Sequence, residues 1–296
     1  MSAREYAVRR VADGFHFLEG PRWHDGQLFM SDFYGKKVYA LGSDGQTRVV
    51  CEVPDWVSGL GFTPSGELLM VAVTQRKVLR RTNAGKLEEA ADLSGVSKYL
   101  CNDMLVDEHG RAYVGNFGFD MAGENVRGTN LFMVLPSGHV SAVAGDLVFP
   151  NGMARTPDGR TLIVAETFAA RLSAFDISDD GRLSNHRIWA ALSPRSYSTV
   201  KEAVDSRDPL PDGICLDAEG AVWIGDAGGR GALRIGAGGK ILDRVSTPDM
   251  SVYAVALGGS DRRTLYLCAA RPLLTNDPTV AMESALLSTR VDVPGV

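Results

Sequence analysis

One turn recurs along the chain. His24-Asp25-Gly26, Pro64-Ser65-Gly66, Glu108-His109-Gly110, Pro157-Asp158-Gly159, Ala218-Glu219-Gly220 and Ser260-Asp261-Arg262 follow one another between short apolar runs. Measured on their third residues, successive turns lie between 40 and 61 residues apart. Asp-Gly and related pairs supply the backbone angles of a tight hairpin. Runs such as LLMVAV, RAYVGNF, TLIVAETF, AVWIGDA and TLYLCAA are rich in Val, Ile, Leu and aromatics, and a helical stripe is rare. A hairpin returning on such a period, with several short strands per unit, is the pattern of a propeller blade. Six units in 296 residues predict an all-β, six-bladed β-propeller, a single domain over residues 1–296. A pair of β-sandwiches is the alternative, but sandwiches have no reason to repeat one hairpin six times. Stacked blades leave few exposed sheet edges, provided the ring closes. An N-terminal strand around residues 6–10 is expected to close the last blade beside 264–269 and 285–293. The polar, Pro-bearing stretch 193–209 is expected as a loop on one face.

Charge and hydropathy remove several classes of partner. With 31 basic against 36 acidic residues, the net charge of −5 gives no electrostatic footprint for nucleic acid. No apolar run approaches the roughly 18 residues of a membrane helix, and the segment MSAREYAVRR lacks the apolar core of a signal peptide. The expectation is a cytoplasmic protein acting on a small molecule, with no nucleic-acid or membrane partner. Cys51, Cys101, Cys215 and Cys268 form no CxxC pair and read as free structural thiols. HExxH and GxSxG are both absent.

Aligning the units on the turn turns architecture into chemistry. Eight residues before the turn's third residue stand Ser58, Asn102, Asn151, Asp212 and Ala254; the first unit is one residue shorter and places Glu19 there. If the strand before each turn is innermost, these positions ring the axis at one mouth of the channel. Six residues after the turn, the returning arm brings Asp32, Ala72, Asn116, Ala165, Asp226 and Cys268 to the same mouth. Asp32 and Asp226 read equally as support for the inner ring or as loop caps, and Glu166, beside Ala165, as a rim charge. Two carboxylates converging in a narrow channel repel, which raises one carboxyl pKa. A divalent cation removes that conflict, and carboxylate and carbonyl oxygens suit a hard ion. Ca²⁺ is the first expectation, with Mg²⁺, Mn²⁺ or Zn²⁺ as alternatives. Asn151-Gly152 and Asp212-Gly213 are also ordinary turn dipeptides, but four such residues at one repeat position, with Glu19, favour a site.

The segments Glu19-Gly20-Pro21-Arg22-Trp23, Asn102-Asp103, Phe149-Pro150-Asn151-Gly152-Met153 and Pro211-Asp212-Gly213-Ile214 resemble the regucalcin/gluconolactonase family, in order and at blade spacing. The resemblance implies a six-bladed propeller with one axial divalent metal held by Glu19, Asn151 and Asp212. It also implies hydrolysis of lactones, with Asp212 as general base toward the attacking water and Asn102 contacting substrate or a water on the metal. Family members acting on sugar lactones carry an Arg two residues before the Asn that corresponds to Asn102; here that residue is Leu100. With Phe117, Phe119 and Phe149, together with Tyr99, Met121 and Phe168, Leu100 suggests a substrate less polar than a sugar lactone. Competing expectations are another reaction on the same site, such as phosphotriester hydrolysis or a C–C or ring-forming step, and a non-catalytic calcium-binding propeller.

Overall fold

The computed structural model describes residues 4–123, 125–272, 275 and 277–296. Six sheets form the six blades, and within each the four strands of the blade pair antiparallel. Their innermost strands are Leu18–His24, Val57–Phe62, Cys101–Val106, Pro150–Arg155, Pro211–Leu216 and Ser251–Gly258. Each contacts the innermost strand of the next blade, and the last contacts the first, so the ring is closed.

The hairpins form where the turn chemistry places them. Gly26, Gly66, Gly110, Gly159 and Gly220 all have φ between 73° and 80°, and Arg262 takes the same left-handed region at 58°. Glycine meets this requirement without a Cβ penalty. Between blades, apolar side chains form continuous layers. Leu69, Val71 and Val78 of blade two meet Met104, Val114 and Phe132 of blade three in one buried cluster. Each such side chain contributes about 1.5–3 kcal/mol by leaving water.

Closure lies a few residues later than expected. Arg9–Phe15 pairs antiparallel with Ser284–Arg290 as the outer strand of blade six. Arg4–Tyr6 instead runs parallel to Ile241–Ser246 of blade five, with Tyr6 edge-on to Trp223. The chain start thus bridges two blades.

Residues 193–209 are not all loop. They contain the helix Val200–Ser206, whose cap Thr199 accepts from Glu202 N at 3.1 Å, while Glu202 Oε2 accepts from Ser198 N at 2.8 Å. Thr199-x-x-Glu202 is a capping-box signal, outweighed in sequence by the polar composition around it. The helix buries Val200 and Ala203 against Phe119, Phe149 and Phe168. Among the described residues, no helix is long and apolar enough to cross a membrane.

Candidate metal centre and substrate cavity

The inner strands share a local irregularity. Their register slips between Glu19 and Arg22, Val57 and Leu60, Cys101 and Met104, Pro150 and Met153, Pro211 and Ile214, and Val252 and Ala254. A bulge bends a strand and re-aims the side chains it carries. Ser58, Asn102, Asn151 and Asp212 lie inside these slips, and Glu19 is the last paired residue before its own. Asn-Gly and Asp-Gly are therefore strand residues here, not turns. Their glycines serve close approach: a Cβ on Gly152 would lie 2.4 Å from Asp212 O, and one on Gly213 2.4 Å from Ala254 Cβ.

Glu19, Asn102, Asn151 and Asp212 meet at one cavity of ≈ 100 Å³. Ser58 stands beneath two of them: its hydroxyl donates to Glu19 Oε2 at 2.8 Å and lies 3.3 Å from Asn102 Oδ1. Thr167, not anticipated from sequence, orients a third. Its Oγ1 accepts from Asn151 Nδ2 at 3.2 Å and donates to Pro211 O at 2.9 Å. Asn151 Oδ1 is thereby left buried without a hydrogen-bond partner, and so is Asp212 Oδ1.

The electrostatics point the same way. Burial, then the charge of Asp103, raises the Glu19 pKa, against the Ser58 hydrogen bond and Arg22, which lower it. Burial, followed by the charges of Glu19 and Asp103, holds Asp212 well above the ordinary carboxylate range. Arg22 offsets part of this charge by donating to Asp103 Oδ1 at 2.8 Å. The two acids, Glu19 and Asp212, the latter with an orphaned Oδ1, together with the orphaned Asn151 Oδ1 form an oxygen-donor set suited to a hard divalent cation. Among the described residues, no group of three or more His, Cys, Asp or Glu side chains is disposed to hold a metal. The fit therefore depends on the neutral Asn151 amide joining Glu19 and Asp212.

The remaining wall is aromatic. Phe17, Phe33, Tyr34, Phe117, Met121, Phe149, Phe168, Ala227 and Tyr253 line the cavity. Phe149 holds a left-handed backbone, φ 54°, just before Pro150. Such a conformation costs about 1–3 kcal/mol away from glycine and persists where surrounding structure enforces it. Phe119 is fully buried one layer behind, its ring centroid 5.9 Å from those of Phe149 and Phe168. Leu100 does not line the cavity; it packs on the core between blades two and three, anchored by its carbonyl, which accepts from Phe117 N. Tyr99 is likewise absent from the lining and lies under the Arg127 guanidinium.

The returning arms act as caps. Asp32 accepts from Phe17 N and Gly35 N, and Asp226 from Leu210 N and Gly229 N. Glu166 is not a rim charge. It is fully buried, accepting from Val148 N and held by Arg171 and Ser173. All four cysteines are free.

Residues 17–271 match the family model described as SMP-30/Gluconolactonase/LRE-like region. The chain is 25% identical to a 6-deoxy-6-sulfogluconolactonase of Pseudomonas putida, over 94% of this chain and 92% of that protein. It is 26% identical to a pentonolactonase of Haloferax volcanii, over 89% and 85% respectively. The solved structure of a calcium-binding regucalcin from Agrobacterium tumefaciens superposes with a TM-score of 0.81 at 21% identity, covering 100% of this chain and 97% of that one.

Proposed function

The chain belongs to the SMP-30/gluconolactonase/LRE-like family, and on that premise we propose that it is a metal-dependent hydrolase that opens a lactone less polar than a sugar lactone. The observation that carries the reading is the pair of buried, unpartnered oxygens on Asn151 and Asp212 at the base of an aromatic cavity. The lactonase names of the two relatives support the reaction class.

Glu19, Asn151 and Asp212 would hold the ion. When bound, a divalent cation supplies Lewis-acid polarisation of an ester carbonyl. The chain's own groups supply the rest. Asp212 accepts a proton from the attacking water. The Asn102 amide nitrogen, with its oxygen beside Ser58, donates toward the carbonyl oxygen. Thr167 fixes the Asn151 amide so that its oxygen, not its nitrogen, is left free. The aromatic wall excludes water and takes up the apolar part of the substrate.

The substrate class follows from that wall. No Lys, Arg or His lines the cavity among the described residues, so nothing there forms a charge-assisted bond to a carboxylate. Apolar surface entering the cavity gains about 25 cal/mol per Å². The test is acid release from a panel of lactones, with one divalent ion throughout and spontaneous hydrolysis subtracted. Turnover of alkyl or aryl lactones supports the reading; no turnover of any lactone, with the ion shown to be bound, removes it.

A further inference from the structure

Tyr34 lies in the short loop after the second strand of blade one, where Asp32 accepts from Gly35 N and from Phe17 N at 2.8 Å. That cap carries both aromatic rings to the cavity. The Tyr34 ring is held on three sides, with centroids 4.7 Å from Phe33, 5.1 Å from Trp56 and 5.9 Å from Phe17. A ring packed in this way loses little freedom when its hydroxyl acts. Among the described residues of the lining, the Tyr34 hydroxyl and the Asn102 amide nitrogen are the donors that no protein group accepts from. Tyr253, by contrast, donates to Arg271 O at 2.7 Å, and Thr167 to Pro211 O.

Ester hydrolysis needs two donors. One serves the carbonyl oxygen and the other the oxygen that leaves, and Asn102 has already been placed at the first. We infer that the Tyr34 hydroxyl serves the second, donating to the ring oxygen of the lactone as its bond to the acyl carbon breaks. This rests on the lactonase reading above. The step balances: the oxygen of water joins the acyl carbon and its proton passes to Asp212. The electrons of the broken C–O bond stay on the former ring oxygen, which is protonated through Tyr34. The phenol is then restored by the proton that Asp212 gives up to solvent, and one water has been added in total. Burial, and after it the Glu19 and Asp277 charges, push the phenol up to about 12, so it remains a neutral donor across the working range.

The assignment separates substrates by their leaving oxygen. An alkyl δ-lactone releases a strongly basic alkoxide and needs the donor; dihydrocoumarin releases a phenolate, which leaves with far less help. For Tyr34→Phe, which keeps the ring packing, kcat on the alkyl lactone is expected to fall about 10²–10⁴-fold with KM nearly unchanged. On dihydrocoumarin it should fall less than about tenfold, since the leaving oxygen is already stabilised. Equal losses on both lactones, no loss on either, or a loss confined to KM would overturn the role of Tyr34 and leave the lactonase reading standing. If wild-type protein, with its ion shown to be bound, opens neither these two nor any other lactone of the panel, both readings fall. A second measurement needs no variant: the wild-type rate across lactones of graded leaving-group basicity should vary little, and a steep decline toward the more basic leaving groups would overturn the assignment.

Discussion

The carboxyl groups of Glu19 and Asp212, carried by blades one and five, are buried at one cavity, and the Glu19 charge raises the pKa of Asp212. Two acids arranged in this way destabilise a protein that holds nothing between them. They become useful once a cation does. The bulge in each inner strand brings them there, and the glycines after Asn151 and Asp212 let neighbouring blades close around them.

Asp212→Asn is expected to keep the fold and an oxygen ligand while removing the base. Turnover should fall about 10²–10⁴-fold, the usual worth of general-base help. Steady-state kinetics beside a circular dichroism spectrum check this, and more than about a tenth of wild-type turnover would contradict the role.

Glu19→Gln tests the electrostatic conflict through pH. A carboxyl whose folded pKa is raised binds its proton more tightly when folded, so its contribution to stability is greatest at low pH. That contribution is lost as pH rises above the unfolded value, about 4.3 for Glu. In chelator, Glu19→Gln removes this loss, so its stability relative to wild type should improve from pH 5 to pH 7. Thermal unfolding at both values reads the difference; a relative stability that worsens with pH would show that Glu19 is not strained by its charge.

Gly213→Ala addresses the architecture. The added methyl group would meet Ala254 Cβ at 2.4 Å, inside the inner ring. Overpacking of this kind costs about 1–3 kcal/mol. Urea unfolding should register that loss, and an unchanged midpoint would mean that blades five and six tolerate separation at this point.

The substrate expectation is comparative. kcat/KM on an apolar or aryl lactone should exceed that on gluconolactone under one metal condition. A tenfold advantage for gluconolactone would mean that the aromatic wall serves packing alone. Leu100→Arg is not an informative partner to this test, because Leu100 is half-buried against the core and does not line the cavity.

The six turns and the inner ring were legible in the sequence for physical reasons. Left-handed φ at a hairpin restricts the residue choice, and a bulge recurring at one register places Asn102, Asn151 and Asp212 at equivalent positions. What escaped lay beside the two positions compared: Tyr34 and Thr167 both stand eight residues after their turn glycines, and Phe17 precedes Glu19 by two residues as Phe149 precedes Asn151, but unlike residue types at these positions hid the pattern. Glu166 was misplaced because partners that bury a charge, here Arg171 and Ser173, are not visible in a strand pattern. Leu100 misled because two residues apart means the same face only in a regular strand, whereas here the strand begins at Cys101 and its register slips before Met104.

The most direct test of the central claim is a chelation and reconstitution assay with metal content measured on the same samples. Protein stripped of divalent ions should open no apolar lactone above the spontaneous rate, and stoichiometric Ca²⁺ or another hard divalent ion should restore turnover to wild type but not to Asp212→Asn. Full activity in protein whose metal content is confirmed near zero would contradict the account.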